Sequence, residues 1–164
     1  MDRYYKVQEK ITNLTDFKYM LSFYRFKEQK IVFTEGCFDL LHKGHIKFLS
    51  KASDLGDVLV VGMNSDSSVR KNKGGGRPIQ DHGTRSMIVA SLGFVDHVII
   101  FEEENSLELM EFIQPDILVR GADCVENGSV GEDVFKDKVP EIVTLDILKG
   151  YSTSAIVDRI KKMA

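Results

Sequence analysis

A doubly wound α/β domain is predicted by two observations on the 164-residue chain. Five short runs rich in Val and Ile are almost continuously apolar, as strands buried on both faces are. Between them lie segments whose apolar residues follow a helical period, and strand–helix–strand repetition implies a parallel sheet with right-handed crossovers. The expectation is a Rossmann-like, five-stranded parallel sheet with helices on both faces. It forms a single domain over residues 30–164, preceded by a helical extension over residues 1–29.

Each element has its own signal. In the extension, Leu14, Phe17, Leu21 and Tyr24 lie at helical spacing, so it reads as an arm packing on the domain or on a second subunit. The first strand is KIVFT, Lys30 to Thr34. The helix HIKFLSKASDLG follows, with Ile46, Leu49 and Ser53 in period and Gly56 placed to end it. DVLVVGM, Asp57 to Met63, is the second strand, and SSVRKNKGGGRP after it reads as a mobile loop. TRSMIVASLGF is a helix with Met87, Ile88 and Leu92 on one side, leading into the strand HVIIF, His97 to Phe101. NSLELMEFIQP opens on Asn105 or Ser106 as cap and stops at Pro115. The strands DILVRG, Asp116 to Gly121, and EIVTLDI, Glu141 to Ile147, precede a closing helix, STSAIVDRIKKM.

Composition excludes several classes. With 22 Lys plus Arg against 25 Asp plus Glu, the net charge of -3 argues against a protein that coats nucleic acid. No apolar run approaches the ~20 residues that span a bilayer, and MDRYYKVQEK lacks the apolar core of a signal peptide. Cys37 and Cys124 are too few for a disulfide scaffold, so reduced thiols in a cytoplasm are expected. The prediction is a soluble cytoplasmic protein with neither nucleic acid nor membrane as partner.

In such a sheet, ligands bind at the carboxyl ends of the strands where strand order reverses. The most informative loop is TEGCFDLLHKGHIKFL, Thr34 to Leu49. A strand ends, Gly36 permits a turn, and a helix starts near Gly44, where backbone amides favour an anion. His42 and His45 flank Gly44 and supply two donors at the helix mouth. Neither a Walker loop nor a G-x-G-x-x-G is present. The rival reading is a metal site built from His42, His45, Cys37 and Asp39. The i, i+3 spacing of the histidines departs from the usual i, i+4 of zinc ligands on a helix, and no second Cys pair exists, so no protein-held metal is expected.

A second anion signal lies after the second strand. Arg70, Lys71, Lys73 and Arg77 surround three glycines with no acid among them. The acids Glu102, Glu103, Glu104, Glu108 and Glu111 cluster elsewhere, so a mildly acidic chain is expected to carry a basic site.

Together GCFDLLHKGH, NSDSSVRKNKGGGRPI, VDHVIIFEEENSLELM, PDILVRGAD and GYSTSAIVDRI resemble the nucleotidylyltransferase superfamily with its His-x-Gly-His signature. Within it the chain is most similar to adenylyltransferases acting on D-glycero-β-D-manno-heptose 1-phosphate. These occur as separate proteins or as the C-terminal half of a bifunctional kinase. The resemblance covers about residues 30 to 162.

It implies AMP transfer from ATP to a sugar 1-phosphate, giving ADP-sugar and pyrophosphate, with Mg²⁺ accompanying the ATP. His42 and His45 would stabilise charge on the reacting phosphates, with Lys47 either a further catalytic cation or a surface lysine. Thr34, Gly36, Cys37, Phe38 and Gly44 would form the nucleotide loop. Arg120, Gly121 and Asp123 would lie by the adenine and ribose, and Tyr151, Ser152, Thr153 and Ser154 by the ATP phosphates; ordinary helix caps are the alternative for the hydroxyls. The substrate side would use Asp39 as a loop brace, Asn64, Asp66 near the sugar, Lys73 and Arg77 on its phosphate, and Arg85, which would contact either a phosphate or a nearby acid.

The chain departs from the pattern at Glu35, where an Asn is usual, and at Gly83, where an acid is common. Glycerol-3-phosphate cytidylyltransferases carry an Arg shortly before the final Ser-Thr pair, where Ile147 stands here. Cytidylyl transfer to a polyol phosphate is the alternative activity, and a non-catalytic nucleotide-binding module the more distant one. A homodimer or higher homo-oligomer is expected.

Overall fold

The computed structural model describes residues 2–102, 107–122 and 139–163. The predicted cap at Asn105 or Ser106, the acids Glu103 and Glu104, and the thiol of Cys124 lie outside the described residues. The described strands are β1 (Ile11–Thr12), β2 (Ile31–Gly36), β3 (Val58–Asn64), β4 (His97–Phe101), β5 (Ile117–Gly121) and β6 (Glu141–Leu145). They form one parallel sheet in the order β1-β4-β3-β2-β5-β6. The described helices are α1 (Arg3–Gln8), α2 (Leu14–Phe26), α3 (Lys43–Ser53), α4 (Asp66–Lys73), α5 (His82–Ala90), α6 (Leu107–Ile113) and α7 (Thr153–Lys161).

The continuous apolar runs are explained by two cores that share the strands. Ile31 and Phe33 of β2 and Val58 and Val60 of β3 pack with Phe17 of α2 and Leu109, Met110 and Ile113 of α6. The alternate residues Val32, Leu59, Val61 and Met63 pack on the other face with Leu49 and Ala52 of α3 and Val89 and Ala90 of α5. A strand with period-two side chains must be apolar at every position when both faces are covered.

The sheet has six strands among the described residues, not the five expected. The added strand, β1, is two residues long and pairs Ile11 with Val98 and Thr12 with Ile99. No period can register over so short a run. Other parts of the amino-terminal segment also enter the domain. Phe17 is fully buried, Lys10 Nζ donates to the carbonyls of Leu92 and Val95 at 3.3 and 2.6 Å, and Arg25 pairs with Asp116 at 2.8 Å. Arg25 also donates to the carbonyls of Ile113 and Gln114, which closes the carboxyl end of α6.

The loop expected at SSVRKNKGGGRP is also corrected. Its first part is helix α4, capped by Ser65, whose side chain accepts from Ser68 N, and anchored by buried Ser68 and Val69. One valine among polar residues leaves no apolar stripe to read. The helix ends at Gly74, whose φ of 90° suits glycine.

Candidate active site

Chain order reverses at β2, which has β3 on one side and β5 on the other. A cleft of 540 Å³ opens there. Its walls come from Glu35, Gly36, Cys37, Phe38 and Asp39 after β2, from His42, Gly44, His45 and Phe48 at the start of α3, from Lys73 and Arg77, from Gly121 ending β5, and from Ile147 and Tyr151 to Ser154 before and within α7. The predicted phosphate loop, basic segment and final helix start therefore share one cavity.

The histidine wall follows from a helix cap. His42 is the N-cap of α3, and its Nδ1 accepts from the backbone N–H of His45 at 3.4 Å. Accepting at Nδ1 puts the proton of the neutral ring on Nε2. The rings of His42 and His45 stack at 3.8 Å with 17° between planes. Gly44 makes this possible, since a Cβ there would lie 2.9 Å from His42 Nδ1. Phe38 holds a left-handed φ of 44°, with its ring buried and edge-on to His45 at 5.4 Å. That packing offsets a backbone strain of about 1 kcal/mol.

Burial lowers the pKa of His42. For His45 burial, then the neighbouring His42 and Lys73, push it down to about 4, opposed by the Leu40 carbonyl, which does not reach hydrogen-bond geometry at Nδ1. Both rings are neutral near pH 7 and able to donate. A second helix start faces them: Ser152 caps α7 by accepting from Ala155 N at 3.1 Å. Two helix amino termini thus meet at one cleft, an arrangement that attracts phosphate.

The wall that Lys73 and Arg77 contribute is cationic and braced. Asp39 accepts from Arg77 Nη1 at 2.7 Å and from the backbone N–H groups of Ile79 and Gln80 at 2.7 and 3.1 Å. Burial alone would raise the Asp39 carboxyl, but these bonds outweigh it and hold it below its ordinary value. Cys37 is raised by burial, against the pull of Lys73 and Arg85.

Other expected residues stand apart from the cleft. Lys47 is exposed and does not line it, because two residues turn a helix by about 200° from the His45 face. Thr34 is buried and its Oγ1 donates to the Val119 carbonyl at 2.8 Å, tying β2 to β5. Asn64 lies behind Cys37, whose Sγ is 3.6 Å from its Oδ1. Asp66 contacts Arg85 and His82. Arg120 is buried in the sheet and does not line the cleft. Arg85, expected at either a phosphate or a nearby acid, is fully buried and bonded to protein acceptors, the acid Asp66 among them. Asp123 lies outside the described residues.

Glu35, Phe48 and Ile147 line the cleft without having been expected as site residues. For Phe48 the signal was available, because it lies one helical turn beyond His45. A shallower groove of 360 Å³ adjoins at His42 and Tyr151 and adds Lys43 and Arg159.

Comparison with known proteins agrees with this geometry. A family model described as cytidylyltransferase-like matches residues 33–159. The bifunctional protein HldE of Campylobacter curvus is 51% identical over 134 residues, 82% of this chain and 28% of that protein. HldE of Helicobacter pylori strain P12 is 49% identical over 135 residues, again 82% of this chain and 28% of that protein. The chain thus spans 28% of the length of these curated relatives. Among solved structures, the lipopolysaccharide core biosynthesis protein of Thermoplasma volcanium GSS1 superposes with a TM-score of 0.64 at 30% identity, covering 74% of this chain and 99% of that one. The pantoate-β-alanine ligase of Francisella tularensis, complexed with β-γ ATP and β-alanine, shares the fold at a TM-score of 0.60 and 19% identity, covering 92% and 76%. The family model covers well over half of the chain: the chain belongs to the cytidylyltransferase-like family.

Proposed function

We propose that the protein transfers AMP from ATP to D-glycero-β-D-manno-heptose 1-phosphate, releasing pyrophosphate and forming an ADP-heptose. The observation that carries this reading is the cleft itself, which gathers two capped helix starts, a histidine pair, and the cations Lys73 and Arg77. An oxygen of the acceptor phosphate attacks the α-phosphorus, forming one P–O bond as the bond to pyrophosphate breaks. His42 and His45 donate to oxygens on which charge grows, and catalysis rests on positioning and electrostatics. Lys73 and Arg77 hold the acceptor phosphate.

The sugar assignment is supported by relatives about half identical and named HldE, and by the lipopolysaccharide role printed for the Thermoplasma protein. Ile147 on the cleft wall, where cytidylyltransferases of the glycerol-3-phosphate type carry an Arg nearby, favours ATP over CTP. No trio of His, Cys, Asp or Glu that could hold a metal occurs among the described residues. A Mg²⁺ ion accompanying the ATP would offset phosphate charge as pyrophosphate departs.

The reading includes a catalytic unit over residues 30–164 with residues 1–29 as an extension, and a cytoplasmic setting where ATP is available. Among the described residues no helix is long and apolar enough to cross a membrane. The exposed Tyr19, Phe23 and Phe26 of α2 support a homodimer or higher oligomer, to be measured by light scattering.

The test is pyrophosphate release with ATP or CTP against heptose 1-phosphate or glycerol 3-phosphate. Turnover is expected with ATP and the heptose phosphate. Preference for CTP and the polyol phosphate, or tight ATP binding without turnover on any acceptor, would overturn the reading.

A further inference from the structure

We infer that Arg85 is a positioning residue that sets the spacing between the histidine wall and the cationic wall of the cleft. This rests on the proposed transferase reading and goes beyond it. The Arg85 side chain is fully buried, yet its guanidinium reaches four acceptors on three segments: the β2–α3 loop, the β3–α4 junction and the Gln80 turn. Nε donates to the Gln80 carbonyl at 3.0 Å. Nη1 donates to the Cys37 carbonyl in the β2–α3 loop. Nη2 donates to the Asn64 carbonyl at the end of β3, at 2.9 Å, and to Asp66 Oδ1 at the start of α4, at 2.7 Å.

Burying a guanidinium is costly, and a well-packed apolar side chain is often at least as stabilising. The geometric return is specific. Asp39, on the same loop as Cys37, accepts from Gln80 N–H, while Arg85 holds the Gln80 carbonyl. The Gln80 peptide is thus fixed from both ends, and Arg77, three residues earlier, is held by the same Asp39. Through Asp66, the guanidinium also anchors the first residue of α4, whose last residue is Lys73. Lys73 and Arg77 are therefore both referenced to one buried group that also holds the loop leading to His42.

Because Arg85 does not reach the cleft surface, its loss acts on alignment rather than on contact. Misplacement of reacting groups by about 1 Å lowers rate by roughly 100-fold. Arg85→Lys keeps the charge but offers donors from a single point, which cannot serve four spread acceptors. Steady-state pyrophosphate release is expected to show kcat lower by roughly 10- to 100-fold, with KM for ATP and for the sugar phosphate within about threefold of wild type. Asp66→Asn should lower kcat in the same direction by less. The double variant should lose less than the product of the two single losses, because the pair acts as a unit.

A rise in KM for the sugar phosphate with kcat unchanged would mean direct substrate contact and overturn the inference. So would a lower melting temperature with kcat and both KM values unchanged, which marks a brace of stability alone. If Arg85→Lys does not fold, Asp66→Asn decides, an unchanged kcat overturning the inference. Wild-type inactivity on the heptose phosphate is a failure of the substrate reading instead. The variants are then compared on whichever acceptor the pyrophosphate-release screen returns.

Discussion

Two regions of the sheet hold histidines in packed surroundings, and they differ in what the imidazoles face. After the carboxyl end of β2, His42 and His45 stack at 3.8 Å and line a 540 Å³ cleft. At the amino end of β4, His97 is buried with its Nε2 2.6 Å from Tyr24 Oη and its ring edge-on to Phe17 at 5.0 Å. Burial lowers the pKa at all three rings. At His97, Asp96 opposes the shift and Lys10 adds to it. A depressed pKa therefore does not mark a site by itself. The helix cap that consumes His42 Nδ1, and the cavity beyond the rings, make one pair chemical. The hydrogen bond to α2 and the aromatic packing make the other histidine structural.

The comparison breaks most readily at the cleft. His45→Ala should reduce kcat by roughly 10²- to 10³-fold, the loss typical of one donor aimed at a developing negative charge. Retention of rate within fivefold would separate the pair from catalysis. At the other end, Phe17→Ala should cost about 3–5 kcal/mol of stability, read from the denaturant midpoint. The kcat of the folded protein should be unchanged, and a large drop would show that the two regions are coupled. Tyr24→Phe leaves His97 Nε2 without this partner and should cost about 1–2 kcal/mol, again with normal turnover.

pH sharpens the contrast. A folded histidine with a depressed pKa binds fewer protons than its unfolded counterpart, so its contribution to stability is present above pH 6.5 and is lost as pH falls toward the folded value. For His45 that window runs from 6.5 to about 4. Melting temperature should therefore fall on acidification through this range, and a flat profile would contradict the depressed values. The smallest effect is spectroscopic. ATP binding should raise the His45 pKa in an NMR titration, because a polyanion favours the protonated ring, and leave His97 unmoved. Equal shifts at both would remove the distinction.

Much of this was legible in the sequence, and the exceptions share causes. Strands such as Val58–Asn64 declare themselves because both faces are buried, α3 because an apolar period runs up to Gly56, and α7 because Ser and Thr precede its helical run. The loop from Gly36 to His45 and the Tyr151 to Ser154 segment are contiguous stretches whose chemistry is local, so their meeting needed only the parallel-sheet rule. β1 and α4 carried too few apolar residues to signal. Arg85 was left between a phosphate and a nearby acid, and the structure pairs it with the acid Asp66; its burial among carbonyls gave no sign in the sequence. For Lys47, read as either a further cation or a surface lysine, the exposed position matches the second reading, because the helix turns it away from the His45 face.

β1 has a consequence for solubility. Without Ile11 and Thr12, β4 would be the edge of the sheet. Its residues HVIIF are apolar after the first, and an open edge of that kind templates pairing with another chain. Two residues of amino-terminal backbone thus act as an aggregation guard. Shortening the chain to the stretch that the family model matches would keep every residue that lines the cleft but remove β1, and with it the cover on the edge of β4.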